Sequence, residues 1–270
     1  MRLAIPFWVV LVACDPSGVD GPLIVDPTDP LGGDLLTRDH LPADAGPLPG
    51  SPDGGSLASA GDAVPRFATA FYFDLAHVER ISRFRSGIGH DFSDTYETCR
   101  SMKHYICPND CDGPNSPPPG SHDPAWTELE LRSPVTGTVL RVEAEQTFGM
   151  QLVLGVAGFP GIRVRMFHVT PASGVVVGAT LVPGQVLGTH ASDLTMSDIA
   201  VEQDTVDGFR FVSFFEALTD EGFAPLAARG IPSRQTLQIT ASERDADPLD
   251  CAGEAFESPG TLENWFELTP

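Results

Sequence analysis

Short runs of alternating apolar and polar residues, separated by Gly and Pro, fill the middle of the chain. A period of two along a short run is typical of a β-strand with one buried face. Several such strands separated by turns predict a mainly β fold, an antiparallel barrel or sandwich. The runs lie at 129–144, 150–156, 161–169, 175–190 and 197–202.

Two of these runs carry a polar side chain on an otherwise apolar face. The alternation along 161–169 puts four side chains on one face of the strand: Ile162, Val164, Met166 and His168. By the same parity, Asp198 shares a face with Met196 and Ala200. His168 and Asp198 are therefore candidate functional residues.

The segment before the β-rich region has a different pattern. Residues 67–75 are rich in aromatics and alternate in polarity, which predicts the first strand. Residues 77–83 are interpreted as a short helix or turn. Residues 95–104 are polar, and we expect them to be irregular or briefly helical.

The segment after the β-rich region predicts short helices. Residues 209–218 indicate a strand followed by a helix. Thr219 is a suitable N-cap and Gly230 a suitable stop for the next helix. Ser233 is a suitable N-cap for a further helix that runs to Arg244. Residues 252–270 form an acidic tail with a few aromatics.

The N-terminus resembles a bacterial lipoprotein signal. A basic Arg2 precedes an apolar run at 3–12 that is too short to span a bilayer, and the run ends in Leu-Val-Ala-Cys14. In such signals the cysteine becomes the first mature residue and carries the lipid. We expect Cys14 to anchor the protein to the outside of a membrane in the cell envelope. The alternative is a signal peptide cleaved near Ala13 without lipidation.

Composition sets limits on organisation and partners. The chain has 270 residues and a formal net charge of -21. An acidic surface repels phosphate backbones, so we expect no nucleic-acid partner. The Pro-, Gly- and Asp-rich composition of 15–65 predicts a disordered tether. We expect a signal peptide at 1–14, the tether at 15–65, a monomeric β domain with C-terminal helices at 66–251, and the acidic tail at 252–270.

The remaining cysteines predict disulfides. The chain has 5 cysteines, and with Cys14 assigned to the lipid the others are Cys99, Cys107, Cys111 and Cys251. An exported protein meets an oxidising environment, so we expect two disulfides, for which three pairings are possible. In one of them Cys107 joins Cys111 across a tight loop, and Cys99 joins Cys251.

The stretch from Arg85 to Asp94, with the sequence RSGIGHDFSD, contains a candidate metal motif. His90 and Asp94 are four residues apart behind a Gly-rich approach. A neutral imidazole and a carboxylate at that spacing can converge on one divalent ion. The alternative is a hydrogen-bonded pair without a metal.

Three segments together resemble the lysostaphin or LytM-type zinc metallopeptidases. They are SPVTGTVLRV, then RMFHVTP, then VVVGATLVPGQVLGTH, and with the His-x-x-x-Asp motif they cover about Gly87 to Val201. The resemblance implies a small antiparallel β barrel or sandwich. It also implies a zinc ion held by His-x-x-x-Asp and by the second His of a His-x-His strand.

The resemblance assigns roles to individual residues. His90 and Asp94 match the first motif, and His168 matches the strand-end His that stabilises an oxyanion. The His-x-His motif is missing, and Asp198 is the candidate third zinc ligand on that strand. Glu97 or Asp91 is the candidate general base. In an alternative alignment Asp91 is the ligand carboxylate, and the family His falls on Gly87.

These observations support two functions and a structural alternative. The first is a divergent zinc metalloendopeptidase that acts on cell-wall or other extracytoplasmic peptide. The second is an inactive module of the same fold that binds cell-wall material or a partner enzyme. The third is a structural envelope lipoprotein. In the alternative alignment with Asp91 as ligand, His104 and Glu97 are candidates to refill the metal site, and the alternative is that they are surface residues.

Overall fold

The structure is a computed structural model, and it describes residues 58–59, 61–109 and 125–270. The strands are β1 (Val78–Ser82), β2 (His104–Pro108), β3 (Glu130–Arg132), β4 (Gly137–Ala144), β5 (Met150–Val156), β6 (Ile162–Pro171), β7 (Thr180–Leu181), β8 (Val186–His190), β9 (Ser197–Thr205), β10 (Gly208–Val212), β11 (Cys251–Ala252), β12 (Ala255–Phe256) and β13 (Trp265–Glu267). The α-helices are α1 (Phe214–Ala217), α2 (Asp220–Ala228) and α3 (Ala241–Ala246), and 3₁₀ turns span Leu75–His77, Trp126–Glu128 and Arg234–Leu237.

Strand β9 is central to the main sheet. The order along the sheet is β13-β1-β2-β9-β6-β5-β4-β7, and the pairings along it are antiparallel. One side of β9 pairs with β6, and the other side pairs first with β2 and then with β10. The fold is therefore mainly antiparallel β, as the alternation predicts.

Apolar layers cover both faces of β9. Ile199 and Val201 point into the main core with Val164 of β6. Ala200 points the other way, into a second cluster that contains Phe167 and Phe211. Because both faces are covered, the whole of β9 up to Gln203 is buried, and a polar side chain on this strand is removed from bulk water.

Most of the predicted elements after residue 129 are confirmed. The runs at 150–156 and 161–169 are β5 and β6. Helix α2 has Thr219 as its N-cap, whose side chain accepts from the Gly222 N–H, and Gly230 follows its end with a φ of 90°. That left-handed conformation costs a glycine little.

Two predictions in the N-terminal half are wrong. Residues 67–75 contain no strand, only an isolated bridge from Ala68 to Leu218. Their aromatics are buried without a ladder: the Phe67 and Ala68 N–H groups both donate to the Ala217 carbonyl. Conversely, 77–83 contains β1 instead of a helix, because this stretch pairs with β2 and β13.

The last predicted helix is also wrong in part. Residues 233–244 are divided between the 3₁₀ turn at Arg234–Leu237 and α3. Thr240 caps α3, and its side chain and that of Glu243 form a capping box. Beyond residue 252 the acidic tail adds β13 to the edge of the sheet beside β1.

Two parts of the cysteine prediction fall on described residues. Cys99 and Cys251 form a disulfide across a sequence separation of 152, and Cys107 is disulfide-bonded as well. Cys111 lies outside the described residues, as do Cys14 and the signal segment. None of the helices in the described residues has the length and apolar character of a membrane-spanning segment.

His104 of β2 is a buried, neutral imidazole. Its Nδ1–H donates to the Ser82 carbonyl at 2.8 Å, and its Nε2 accepts from the Ser213 hydroxyl at 2.9 Å. Both nitrogens are thereby satisfied without a charge. Burial lowers the pKa of His104 to about 4, because an imidazolium would lose its hydration there.

We expect His104 to make folding stability depend on pH on the acid side. Its pKa is lowered in the folded state, so stability is complete above the unfolded value of 6.5 and is lost as the pH falls towards 4. The difference corresponds to roughly 3 kcal/mol. Urea titrations of wild type and His104→Gln at several pH values test this. An unchanged slope between pH 6.5 and 4 in the variant contradicts it.

The disulfide is expected to stabilise the fold by closing a long loop. Replacing Cys99 and Cys251 together by Ala should cost about 2–5 kcal/mol in the free energy of unfolding. The double variant isolates this bond, whereas a reductant would also attack the disulfide of Cys107. Chemical denaturation of both proteins gives the value, and a loss below about 1 kcal/mol would show that the closed loop contributes little.

Candidate functional site

A strand irregularity sets the orientation of His168. It has a φ of 57°, and it lies where β6 leaves β9 and begins to pair with β8. Met166 and Val169 both face the main core, so the left-handed residue shifts the alternation by one position. The predicted shared face of His168 and Met166 is therefore wrong. A histidine in this conformation is strained by about 1–3 kcal/mol, and residues with such strain are frequent at functional sites.

His168 lies between two carboxylates. Its Nδ1 is 2.7 Å from Oε2 of Glu145, and that oxygen also accepts from the His168 backbone N–H at 2.9 Å. Its Nε2 is 3.4 Å from Oδ1 of Asp198 on β9. The predicted proximity of His168 and Asp198 is present in the structure.

Lys103 provides the other cation of the cluster. Its Nζ is 2.8 Å from Oδ2 of Asp198, and their side chains are 2% and 0% exposed. The ammonium also lies over aromatic rings, 4.1 Å from the ring centroid of Phe167 and 4.6 Å from that of Phe92. Aromatic faces attract a cation, most strongly where water is excluded. Asp198 is thus paired with Lys103 on one oxygen and faces His168 with the other.

The charges of this cluster shift the nearby histidines in opposite directions. Burial alone would lower the pKa of His168, but Asp198 and then Glu145 outweigh it and raise the pKa to about 8. Burial and the cation of Lys103 lower the pKa of His90 to about 4. Burial and the cation of His168 do the same to His190, also to about 4. At neutral pH the cluster therefore contains one charged and two neutral imidazoles.

Asp94 has a structural environment. Its Oδ1 accepts the backbone N–H groups of Tyr96 and Glu97 at 2.8 and 3.0 Å, and its Oδ2 accepts that of Phe211 at 2.8 Å. Both oxygens are committed to backbone donors, as in an Asx-type turn. His90 is half-buried, and its Nδ1–H donates to the Asp91 carbonyl at 3.0 Å.

The remaining candidate residues are also bonded to other parts of the protein. The carboxylate of Asp91 accepts from the Ser93 hydroxyl and from the backbone N–H groups of Cys99 and Arg100. Glu97 forms ion pairs with Arg85 and Arg100, each at 2.6 Å. The structure therefore places both candidate general bases in loop-stabilising roles.

The arrangement of donors does not fit the implied zinc ion. Among the described residues, no three His, Cys, Asp or Glu side chains form a group that can hold a metal. Both oxygens of the Asp94 carboxylate already accept backbone N–H groups, and the Asp198 carboxylate is paired with an ammonium. Zinc binding by His90, Asp94 and Asp198 stays a prediction that would require these contacts to rearrange.

Two members of the cluster were not found by sequence reasoning. Lys103 lies in a polar segment just before β2, and Glu145 lies just after β4. Nothing local distinguishes either from an exposed charge. Tyr105 pairs directly with Asp198 in the β2–β9 ladder. Lys103, two residues earlier, points to the same side of the sheet as Tyr105. Sequence reasoning would have needed this strand pairing to place Lys103 beside Asp198.

A cleft lies beside the cluster, between the β10 strand and the C-terminal segments. It has a volume of about 400 Å³. Asp94 and Glu97 line it together with arginines and glutamines, and Phe84 and Phe211 contribute apolar surface. The cleft has the size of a small-ligand site.

Comparisons with known proteins do not assign this chain to a family. No known family matches the chain, and no curated protein matches it. Among solved structures, the NMR solution structure of lysostaphin is similar to part of the chain, with 15% sequence identity and a TM-score of 0.24. The match covers 28% of this chain and 35% of that one.

We expect the Lys103–Asp198 pair to be strongly coupled. Lys103→Met should cost about 3–5 kcal/mol in the free energy of unfolding, because it leaves a buried carboxylate with one fewer cation. Combining it with Asp198→Asn should cost clearly less than the sum of the single changes. Arg132→Met, in an exposed ion pair with Glu130, is the control and should cost below about 1 kcal/mol. Additive losses at Lys103 and Asp198 would contradict the coupling.

Proposed function

We propose that this protein is an extracytoplasmic binding module that recognises cell-wall peptide and does not hydrolyse it with zinc. The observation that favours binding over zinc-dependent hydrolysis is the buried ion pair between Lys103 and Asp198. It places the ammonium group of Lys103 on the residue that the peptidase resemblance implies as a metal ligand. A metal there would have to displace this ammonium from its carboxylate.

The mainly antiparallel β fold is compatible with this proposal. So is the disulfide between Cys99 and Cys251, since such bonds persist in oxidising compartments. In the proposal, a lipid on Cys14 and a tether over 15–65 hold the domain at the membrane, where it can reach the wall. The ligand class, cell-wall peptide, follows from the resemblance of the RMFHVTP and VVVGATLVPGQVLGTH segments.

A zinc endopeptidase is the second candidate, and one observation favours it. His168 is held in a strained backbone conformation, beside Asp198 and with a pKa of about 8. Such strain requires support from the surrounding structure and is common at active sites. As a charged donor, His168 has the character needed to stabilise an oxyanion.

Metal analysis combined with wall-binding and cleavage assays separates the two candidates. We expect purified wild type and His90→Ala to carry equally little zinc after dialysis against a zinc buffer. We expect the wild type to sediment with purified peptidoglycan and to release no new amino termini from it. His168→Gln, which removes the charged imidazole, should likewise release no new amino termini.

The opposite pattern would establish the peptidase. One zinc per wild-type chain that is lost in His90→Ala, together with zinc-dependent cleavage of the wall peptide, would overturn the binding proposal. Failure of the folded protein to sediment with peptidoglycan would also overturn it, and the structural alternative would then remain.

A further inference from the structure

Lys103 is the only lysine in the sequence. All the other basic side chains among the 16 lysine and arginine residues are arginines. Arginine supplies the cation in other ion pairs, both in a largely buried pair with Glu202 and in an exposed pair with Glu130. A guanidinium always carries its charge, whereas a buried lysine can give up a proton and become a nucleophile. The single lysine therefore occupies a position where an amine can do chemistry that a guanidinium cannot.

Folding brings this amine to a carboxyl group. Nζ of Lys103 is 2.8 Å from Oδ2 of Asp198, although 95 positions separate the two residues in the sequence. The strand ladder fixes both backbones, since Asp198 pairs with Tyr105 of β2 and Lys103 lies two residues before Tyr105. Two groups held at this separation react as if at a very high concentration, because folding has already removed their freedom to move apart.

Aromatic side chains keep water away from the pair. Nζ of Lys103 lies 4.1 Å from the ring centroid of Phe167, 4.6 Å from that of Phe92 and 5.6 Å from that of Tyr105. Two buried charges are costly in such surroundings, so a reaction that removes both of them is favoured. The same exclusion of water protects the product from hydrolysis.

The carboxyl group of Asp198 is poorly satisfied as one half of an ion pair. Its Oδ1 is buried and has no hydrogen-bond partner in the described structure, which is rare in folded proteins. Nε2 of His168 faces this oxygen at 3.4 Å, and Nδ1 of the same ring is 2.7 Å from Oε2 of Glu145. Glu145 thereby holds the imidazole with a ring N–H directed at Oδ1, where it can stabilise a negative charge that develops on that oxygen.

We infer that the side chains of Lys103 and Asp198 condense to form an amide bond. The ammonium first gives one proton to Oδ2, which leaves a neutral amine beside a neutral carboxylic acid. The amine nitrogen then attacks Cγ, and the new N–C bond places a negative charge on Oδ1, next to His168. The C–Oδ2 bond breaks as Oδ2 takes a second proton from the nitrogen and leaves as water. The step needs no oxidant and no cofactor.

The amide links the start of β2 to the central strand β9. It closes a long loop as a disulfide does and restricts the unfolded chain in the same way, but reductants do not break it. The bond is independent of the proposed binding of wall peptide, because it concerns only groups inside the protein. It also leaves no carboxylate at position 198 for a metal to bind.

Peptide mapping by mass spectrometry tests the bond. The full-length chain, shown to be folded by circular dichroism, is denatured, reduced, alkylated and digested with trypsin. Without the bond, the digest contains the separate peptides 101–103, 104–132 and 166–210. With the bond, trypsin does not cut after Lys103, and we expect a branched peptide of 101–132 and 166–210 that is lighter than their sum by one water. Fragmentation should place the branch between Lys103 and Asp198.

Matched variants test the chemistry of each group. Asp198→Asn should give the same branched peptide with loss of ammonia in place of water, because the leaving group is then an amide nitrogen. Lys103→Arg keeps the cation and should give no branched peptide. Arg132→Lys places an amine beside Glu130 in an exposed pair and should form no second bond, because water surrounds that pair.

His168→Gln tests the role of the imidazole. Removing the donor that faces Oδ1 should slow formation of the branched peptide by at least about tenfold. The measurement compares the variant with the wild type at fixed times after cell-free synthesis. An equal rate in the two proteins would overturn the role of His168 in the reaction.

The wild-type digest decides the question without any variant. Peptides 101–103 and 104–132 as the only products from folded wild type would show that Lys103 is free and would overturn the inference. A branch from Lys103 to a residue other than Asp198 would overturn the assignment of the partner. Neither result affects the test of the proposed function, which measures zinc content, wall binding and cleavage.

Discussion

The attraction between Lys103 and Asp198 determines the arrangement of the polar side chains on the second face of the sheet. Two unit charges that are excluded from water are stable only as a well-bonded pair, and here the aromatic rings of Phe92 and Phe167 complete the environment of the cation. With Asp198 committed in this way, His168 takes a proton and Glu145 compensates it. The cluster thus combines Lys103 and His168 with the carboxylates of Asp198 and Glu145, and burial raises the pKa of Glu145.

The position of β9 explains why the charged cluster forms around Asp198. It pairs with β6, β2 and β10, so it brings His168 to one side of Asp198 and Lys103 to the other. The same strand separates the main core from the second apolar layer. The polar cluster and the cleft lie on neighbouring parts of that second layer, through Phe84 and Phe211.

Local patterns allowed the fold to be predicted where neighbouring strands are also neighbours in sequence. β5 and β6 are of this kind. The pattern failed at β1, which is separated from β2 by the irregular residues 83–103 and from β13 by most of the domain, so no hairpin turn marks its pairing. In the site, the face of His168 was missed because a left-handed residue shifts the alternation. Lys103 and Glu145 were missed because only tertiary packing buries them.

The pairing of β1 with β13 has a consequence for folding. The edge of the sheet is completed by residues 265–267, far along the chain from Ser82. Closing a long loop costs more entropy than closing a short one, and contacts of high sequence separation form slowly. This edge pairing is therefore expected to form after the local strand pairs, such as that of β5 with β6.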